Sequence, residues 1–213
     1  MAENQNRKKL CEVTIKGYKS IAFENPITLH LGDVNILLGA NGAGKSNIIS
    51  FFRMLSYMMS KSFGVYVEKS GTANSFLHYG SKKTPVMSGT LVFTDTKSVD
   101  SYHFSLANAA PDRLIITEES IEYHHKTENK PHEVLLEPNF RESALADSKD
   151  FVAKSIYQML AFAKFTNFTI LPTRVPFVKL ALLTLRIISS LMGITFHPSY
   201  CSCEIIMPTH INA

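Results

Sequence analysis

Eight consecutive residues, Gly39-Ala40-Asn41-Gly42-Ala43-Gly44-Lys45-Ser46, satisfy the pattern G-x-x-x-x-G-K-[ST] in full. Each residue type in it has a separable task at a polyphosphate. Glycines let the backbone turn through positive φ and bring main-chain N–H groups within reach of phosphate oxygens. Lys45 would neutralise the β- and γ-phosphates, and the Ser46 hydroxyl would ligate Mg²⁺. Asn47 completes the stretch that is expected to surround the nucleotide. The competing reading is a glycine-rich turn that caps a helix, with Lys45 in solvent.

The flanking elements favour the phosphate reading. Val34 to Leu38 is a short, nearly continuous apolar run, as expected of a strand buried on both faces of a mixed or parallel sheet. After Lys45 the residues Ile48, Ile49, Phe52, Leu55 and Met59 recur at spacings of three and four, which predicts a helix to about Met59. Strand, glycine loop and helix follow one another directly, and the start of the helix adds the positive end of its dipole to the loop.

Further out, Leu10 to Lys16 and Ile27 to Leu31 read as strands on either side of a turn at Gly17. Residues 61 to 87 carry Gly64, Gly71, Gly80 and Pro85 among Ser, Thr and Lys, which predicts a loop-rich connection with short elements. Four β-prone runs between about 88 and 137 are separated by turn residues and predict an antiparallel meander. Asp147 to Asp150 offers an N-cap and an acidic first turn to a second helix at about 148–164, with Val152, Ile156, Met159 and Leu160 on its apolar side. The fold class expected is α/β, a P-loop NTPase with a mixed sheet and an antiparallel meander.

The chain has 213 residues, 45% of them hydrophobic, enough for a sizeable core. A net charge of +4 gives no overall basic field that would by itself argue for nucleic acid. Cys11, Cys201 and Cys203 are too few for a disulfide framework, and the lone Cys-x-Cys has no second ligand pair for zinc, so reduced thiols are expected. The first ten residues are basic with no apolar stretch behind them, unlike a secretory signal or membrane anchor, and predict a cytoplasmic protein.

The order Gly17-Tyr-Lys-Ser-Ile21, a strand, then Val34 through the glycine loop to Ile49, resembles the N-terminal half of the RecF/SMC-like branch of ATP-binding-cassette ATPases, in the group of bacterial predicted ATPases given an AAA-type label. Phe51-Phe52-Arg53 extends the resemblance, which runs more loosely to about Phe165. It implies ATP and Mg²⁺ as cofactors and an α/β head that sandwiches two nucleotides with a second head, either a homodimer or a separate ATPase partner. It also implies work in DNA repair, maintenance or defence. Lys19 and Ser20 match the family's basic-Ser step and are implied to line the nucleotide pocket; a solvated turn lysine is the alternative for Lys19. DNA as a partner comes from the resemblance alone, since Arg7-Lys8-Lys9 and Lys82-Lys83 are short basic runs of the kind usually solvated.

A head of that family also needs a strand ending in Asp-Glu, a serine–glycine signature and a switch histidine. Leu114 to Glu119 imitates the first, but Thr117 precedes the acidic pair and the segment lies inside the meander, so an ordinary strand with a solvated acidic end is expected. No signature sequence occurs, and His103, His124, His125 and His132 read as surface histidines. The catalytic residues are therefore unassigned, and hydrolysis by the chain alone is expected to be weak or absent. A non-hydrolysing regulatory or partner module is the alternative reading, and a membrane-transport ATPase a third and less favoured one.

Composition changes near Phe165. Residues 1–165 carry 36 charged side chains, whereas 166–213 carry four. The expected organisation is an N-terminal head portion over 1–165 and an atypical tail over 166–213. Three explanations compete for the tail. A membrane segment from Val175 to Phe196 is interrupted by Lys179 and Arg186 within the ~20 residues needed to span. A partner-binding or core helix would use Leu180, Leu183, Ile187 and Leu191. A reading-frame shift near Lys164 is the third: codons for Lys164 to Pro172, read from their third bases, can spell Val-Tyr-Gln-Phe-His-Asp-Thr-Ser, matching the family's strand pattern Tyr-x-Phe-His-Asp-Thr-Ser. That last explanation predicts a truncated family member whose final 48 residues are out of frame.

Overall fold

The structure, a computed structural model, describes residues 8–33, 35–128, 130–137 and 139–164, together with four short strands beyond them. The first two strands, β1 (Lys9–Lys16) and β2 (Ile27–His30), pair antiparallel, and the chain then leaves their sheet for β3 (Asn35–Leu38). Three helices follow: α1 (Lys45–Met59), α2 (Phe63–Ser70) and α3 (Ala73–Phe76). It returns as the meander β4 (Val86–Thr94), β5 (Ser98–Ala109), β6 (Arg113–His125) and β7 (His132–Leu136), then α4 (Phe151–Phe162). Beyond α4 lie β8 (Ala163–Lys164), β9 (Phe168–Leu171), β10 (Leu180–Leu183), β11 (Arg186–Ile187) and β12 (Cys203–Ile206).

The six-stranded sheet runs β2-β1-β4-β5-β6-β7 with every pair antiparallel. Everything from β3 to α3 is an excursion that leaves the sheet after the edge strand β2 and returns as β4 on the other side of β1. An isolated bridge between Tyr18 and Leu77 ties its end to the turn after β1. Side chains alternate strictly along β4, with Met87, Leu91 and Phe93 buried between half-buried neighbours, the period-two pattern of a sheet with one face in the core.

Helix α1 is the main body packed on that face. Ile48, Phe51, Phe52, Leu55 and Met58 are all fully buried. Phe51 lies edge-on to Tyr18 at 5.6 Å and stacks with Phe104 of β5 at 6.1 Å, favoured aromatic geometries that add to the area they bury. Gly89 makes room for this stack: a Cβ there would stand 2.4 Å from the Phe104 ring and 3.0 Å from Phe51.

Several expectations are met and others corrected. The fold is mixed α/β with an antiparallel meander. The connection at 61–87 is more regular than its glycines suggest, since it holds α2 and α3. The carboxylate of Glu142, far along the chain, accepts from the N–H groups of Phe63 and Gly64 at 3.1 and 3.3 Å and so caps the start of α2 from outside. Helix α4 starts at Phe151, later than expected, and its first turn is not acidic. Asp150 is instead its cap, accepting from Val152 N–H and Ala153 N–H at 2.8 and 2.9 Å.

The tail does not form the apolar helix proposed for it: Leu180–Leu183 and Arg186–Ile187 are strands. Leu191 lies outside the described residues. β10 pairs antiparallel with one edge of β3 and β12 pairs parallel with the other, giving the mixed sheet β12-β3-β10-β9. An apolar four-residue strand needs main-chain partners on both sides, and those ladders make little demand on side chains, which explains why a helical spacing was overridden. Among the described residues no helix is long and apolar enough to cross a membrane.

Candidate phosphate-binding loop

β3 ends in the glycine run, and the loop 39–44 delivers the chain into α1 within a few residues. Buried Asn35 shapes the entry: its side chain accepts from Gly32 N–H at 2.8 Å and donates to Gly32 O at 3.0 Å. Gly42 and Gly44 have φ of 89° and 85°, the left-handed region that glycine adopts without strain. Gly44 is the N-cap of α1, with no side-chain cap bond. Space around Gly42 is open, since a Cβ built there meets nothing within 4 Å.

Lys45 does not extend into solvent. It is 8% exposed, and its ammonium donates to the carbonyls of Gly39 and Ala40 at 2.5 and 2.8 Å. The cation is thus held inside the curve of the loop by groups that a phosphate would outcompete, because an ion pair with oxyanions is stronger than a bond to neutral carbonyls. Ala43 N–H donates to Ala40 O, and Asn47 and Ile48 N–H both donate to Gly44 O. The N–H groups of Gly42, Gly44 and Ser46 have no partner among the described residues. Ser46 is exposed in the first turn of α1, at the mouth of the loop. Among the described residues no group of three His, Cys, Asp or Glu side chains could hold a metal.

The turn after β1 is packed against this helix. Asn47 donates to Ser20 Oγ at 2.7 Å, and one turn later the Tyr18 hydroxyl and Ser50 Oγ are 2.8 Å apart. Lys19 is half-buried with φ 49°, its ammonium 5.5 Å from the Tyr18 ring centroid and 5.9 Å from that of Phe76. It is therefore not a solvated turn lysine. Burial, followed by the Arg53 cation, lowers its pKa from the usual lysine value. Neither Lys19 nor Arg53 joins an ion pair among the described residues.

The acidic pair that imitates a catalytic strand end is split: Glu118 is solvated, as expected, and Glu119 is not. Opposite Ser105 and Leu106 the β6 strand gains one residue, Thr117, and this bulge reverses the phase of burial: Leu114 and Ile116 face the core before it, Glu119 and Ile121 after it. Glu118 stays exposed, whereas Glu119 is 3% exposed. Its carboxylate accepts from the Tyr102 hydroxyl, from Ser143 Oγ at 2.6 Å and from Ala144 N–H at 2.7 Å. Burial, with the Glu119 charge beside it, pushes the Tyr102 phenol well above its usual pKa and keeps it a donor. Sequence reading missed this network because a one-residue bulge has no periodic signature; the interruption of alternation at Thr117-Glu118 was its only trace.

Other candidates are accounted for structurally. Lys8 pairs with buried Asp100 and with Asp95, and Lys9 with Asp33 at 2.8 Å, so the N-terminal basic run is engaged within the molecule; Arg7 lies outside the described residues. His103 bonds Thr90 at 3.0 Å, and His132 lies 3.4 Å from Glu128. A hollow of about 590 Å³ on the meander, lined by Ser88, His103, Ser105, Ser120 and Glu133 among others, includes no residue of the glycine loop. No protein-family model matches this chain, and a search of curated proteins finds no match to it.

Proposed function

We propose that the chain binds ATP·Mg²⁺ through Gly39 to Ser46 and represents the N-terminal portion of a RecF/SMC-like ATPase head with the P-loop NTPase fold. The observation that carries this reading is the internal capture of Lys45. The buried ammonium lies inside the curve of the glycine loop, donating to the carbonyls of Gly39 and Ala40, which is where a bound polyphosphate would meet it. Ser46 would be the protein ligand of Mg²⁺. DNA-linked work, and a second head as homodimer or separate partner, are what the family resemblance supplies.

Hydrolysis needs a positioned water and a carboxylate to orient it. Glu119 already accepts three hydrogen bonds inside the meander, which favours the second reading, an ATP-binding module that does not hydrolyse alone. Equilibrium dialysis with labelled ATP and Mg²⁺ tests binding directly. The wild type should retain nucleotide and Lys45→Ala should weaken retention roughly 10- to 100-fold, the range for losing a charge-assisted bond. Folded wild-type protein that retains no ATP overturns the proposal.

A further inference from the structure

The resemblance and the motif place Asn47 among the nucleotide's contacts, but its geometry points elsewhere. Its N–H is committed to Gly44 O at 2.9 Å within the first turn of α1. Its carboxamide is committed to Ser20 Oγ at 2.7 Å, across 27 residues of chain. The second rung, between the Tyr18 hydroxyl and Ser50 Oγ, lies three residues along the helix, and Ser50 Oγ also donates to Asn47 O at 2.9 Å. The turn that carries Tyr18 and Ser20 is itself fixed from behind. Lys19 N–H donates to Phe76 O at 2.8 Å, His78 N–H donates to Gly17 O at 3.0 Å, and His78 Nδ1 lies 2.6 Å from Lys19 O, where it must carry the proton.

We propose that Asn47 is a positioning residue: with Ser20 it clamps the first turn of α1 to the braced turn after β1 and so holds the phosphate loop in its binding shape without touching the nucleotide. This rests on the ATP·Mg²⁺ reading. A loop held before binding loses less conformational freedom when it binds, so the clamp appears as affinity.

Isothermal titration with ATP·Mg²⁺ on Ser20→Ala, Asn47→Ala and the double variant, alongside apo melting curves, tests it. Each single variant should bind about tenfold more weakly, the double variant no more weakly than either single one, and Ser20→Thr should restore affinity by keeping the hydroxyl. Should Ser20→Ala not fold, Ser20→Cys serves in its place, since a thiol is a weak acceptor. Additive losses, or a loss for Asn47→Ala far beyond that for Ser20→Ala, would make Asn47 a direct ligand and overturn the clamp. Lowered melting temperatures with unchanged affinity would make it purely architectural and overturn it equally. If the wild type binds no ATP, the proposed function fails with it; if only the variants misbehave, the clamp alone is lost.

Discussion

A carboxylate inside a protein core is tolerated only while its oxygens are bonded, and Glu119 meets that condition with one phenol, one serine hydroxyl and one main-chain N–H. Removing it by Glu119→Ala would leave the Tyr102 and Ser143 hydroxyls and the Ala144 N–H without their acceptor in an apolar setting. The expected loss of stability is roughly 3 kcal/mol, read from a urea midpoint, with ATP affinity of the folded fraction unchanged within about twofold. A variant that kept its stability, or that lost ATP affinity while folded, would show the structural account of Glu119 mistaken. At this scale the turning of the chain at Gly42 and Gly44 was legible, because glycine adopts positive φ without strain. The inward turn of Lys45, the pinning of Lys19 and the burial of Glu119 were not. The Lys19 contact with Phe76 and the Glu119 bonds to Tyr102 and Ser143 depend on partners distant in sequence, and Glu119 also on a bulge that shifts phase by one residue. The Lys45 bonds are local but set by loop geometry that spacing does not encode.

Elements were legible where one period ran long enough. α1 and the four meander strands announce themselves through apolar spacing, and the structure lengthens the strands without moving them. α2 and α3 were obscured because their stability comes from outside their own sequence. The α3 helix is held by the β5–β6 turn, where Asp112 accepts from Asn74 N–H at 3.3 Å and Asn74 Nδ2 at 2.9 Å, while Ala73 N–H donates to the Asp112 carbonyl at 3.4 Å. The Thr72 hydroxyl, then the Asn74 donors, hold the Asp112 carboxyl below its usual pKa. A carboxyl whose folded value is depressed adds stability above its unfolded value of about 3.9, and that contribution disappears as pH falls through the lower folded value. Asp112→Asn should therefore be less stable than wild type at pH 7, and the difference should close as pH drops through 3.9 toward 2. Urea midpoints at successive pH values would show it; a gap that stays constant to pH 2 would mean the amide's loss is steric and not protonic.

For the molecule as a whole, the glycine loop lies on an excursion that leaves the six-stranded sheet after β2 and re-enters it as β4. β4 returns beside β1, and the Tyr18–Leu77 bridge ties the end of the excursion to the turn after β1. Ligand binding at the loop should therefore stabilise the entire fold and not merely a local turn, because β3, α1 and the turn after β1 share one core with the meander. The compositional break at 165 was visible in the sequence, but its structural outcome was not. Pairing of β10 and β12 with the edges of β3 follows from the needs of β3 and not from any pattern in the tail. If loop and core unfold together, ATP·Mg²⁺ at 100 times its dissociation constant adds about 2.7 kcal/mol. For a chain of this size each kcal/mol moves the melting temperature about 2–4 °C, which predicts a rise of roughly 5–11 °C by circular dichroism. Lys45→Ala, binding roughly 10- to 100-fold more weakly, should gain only about 0.4–1.4 kcal/mol at the same ATP concentration, a rise of roughly 1–6 °C. Retention of ATP in dialysis without any shift in the melt would mean that the loop opens independently of the sheet, and the unity inferred from the returning strand would be wrong.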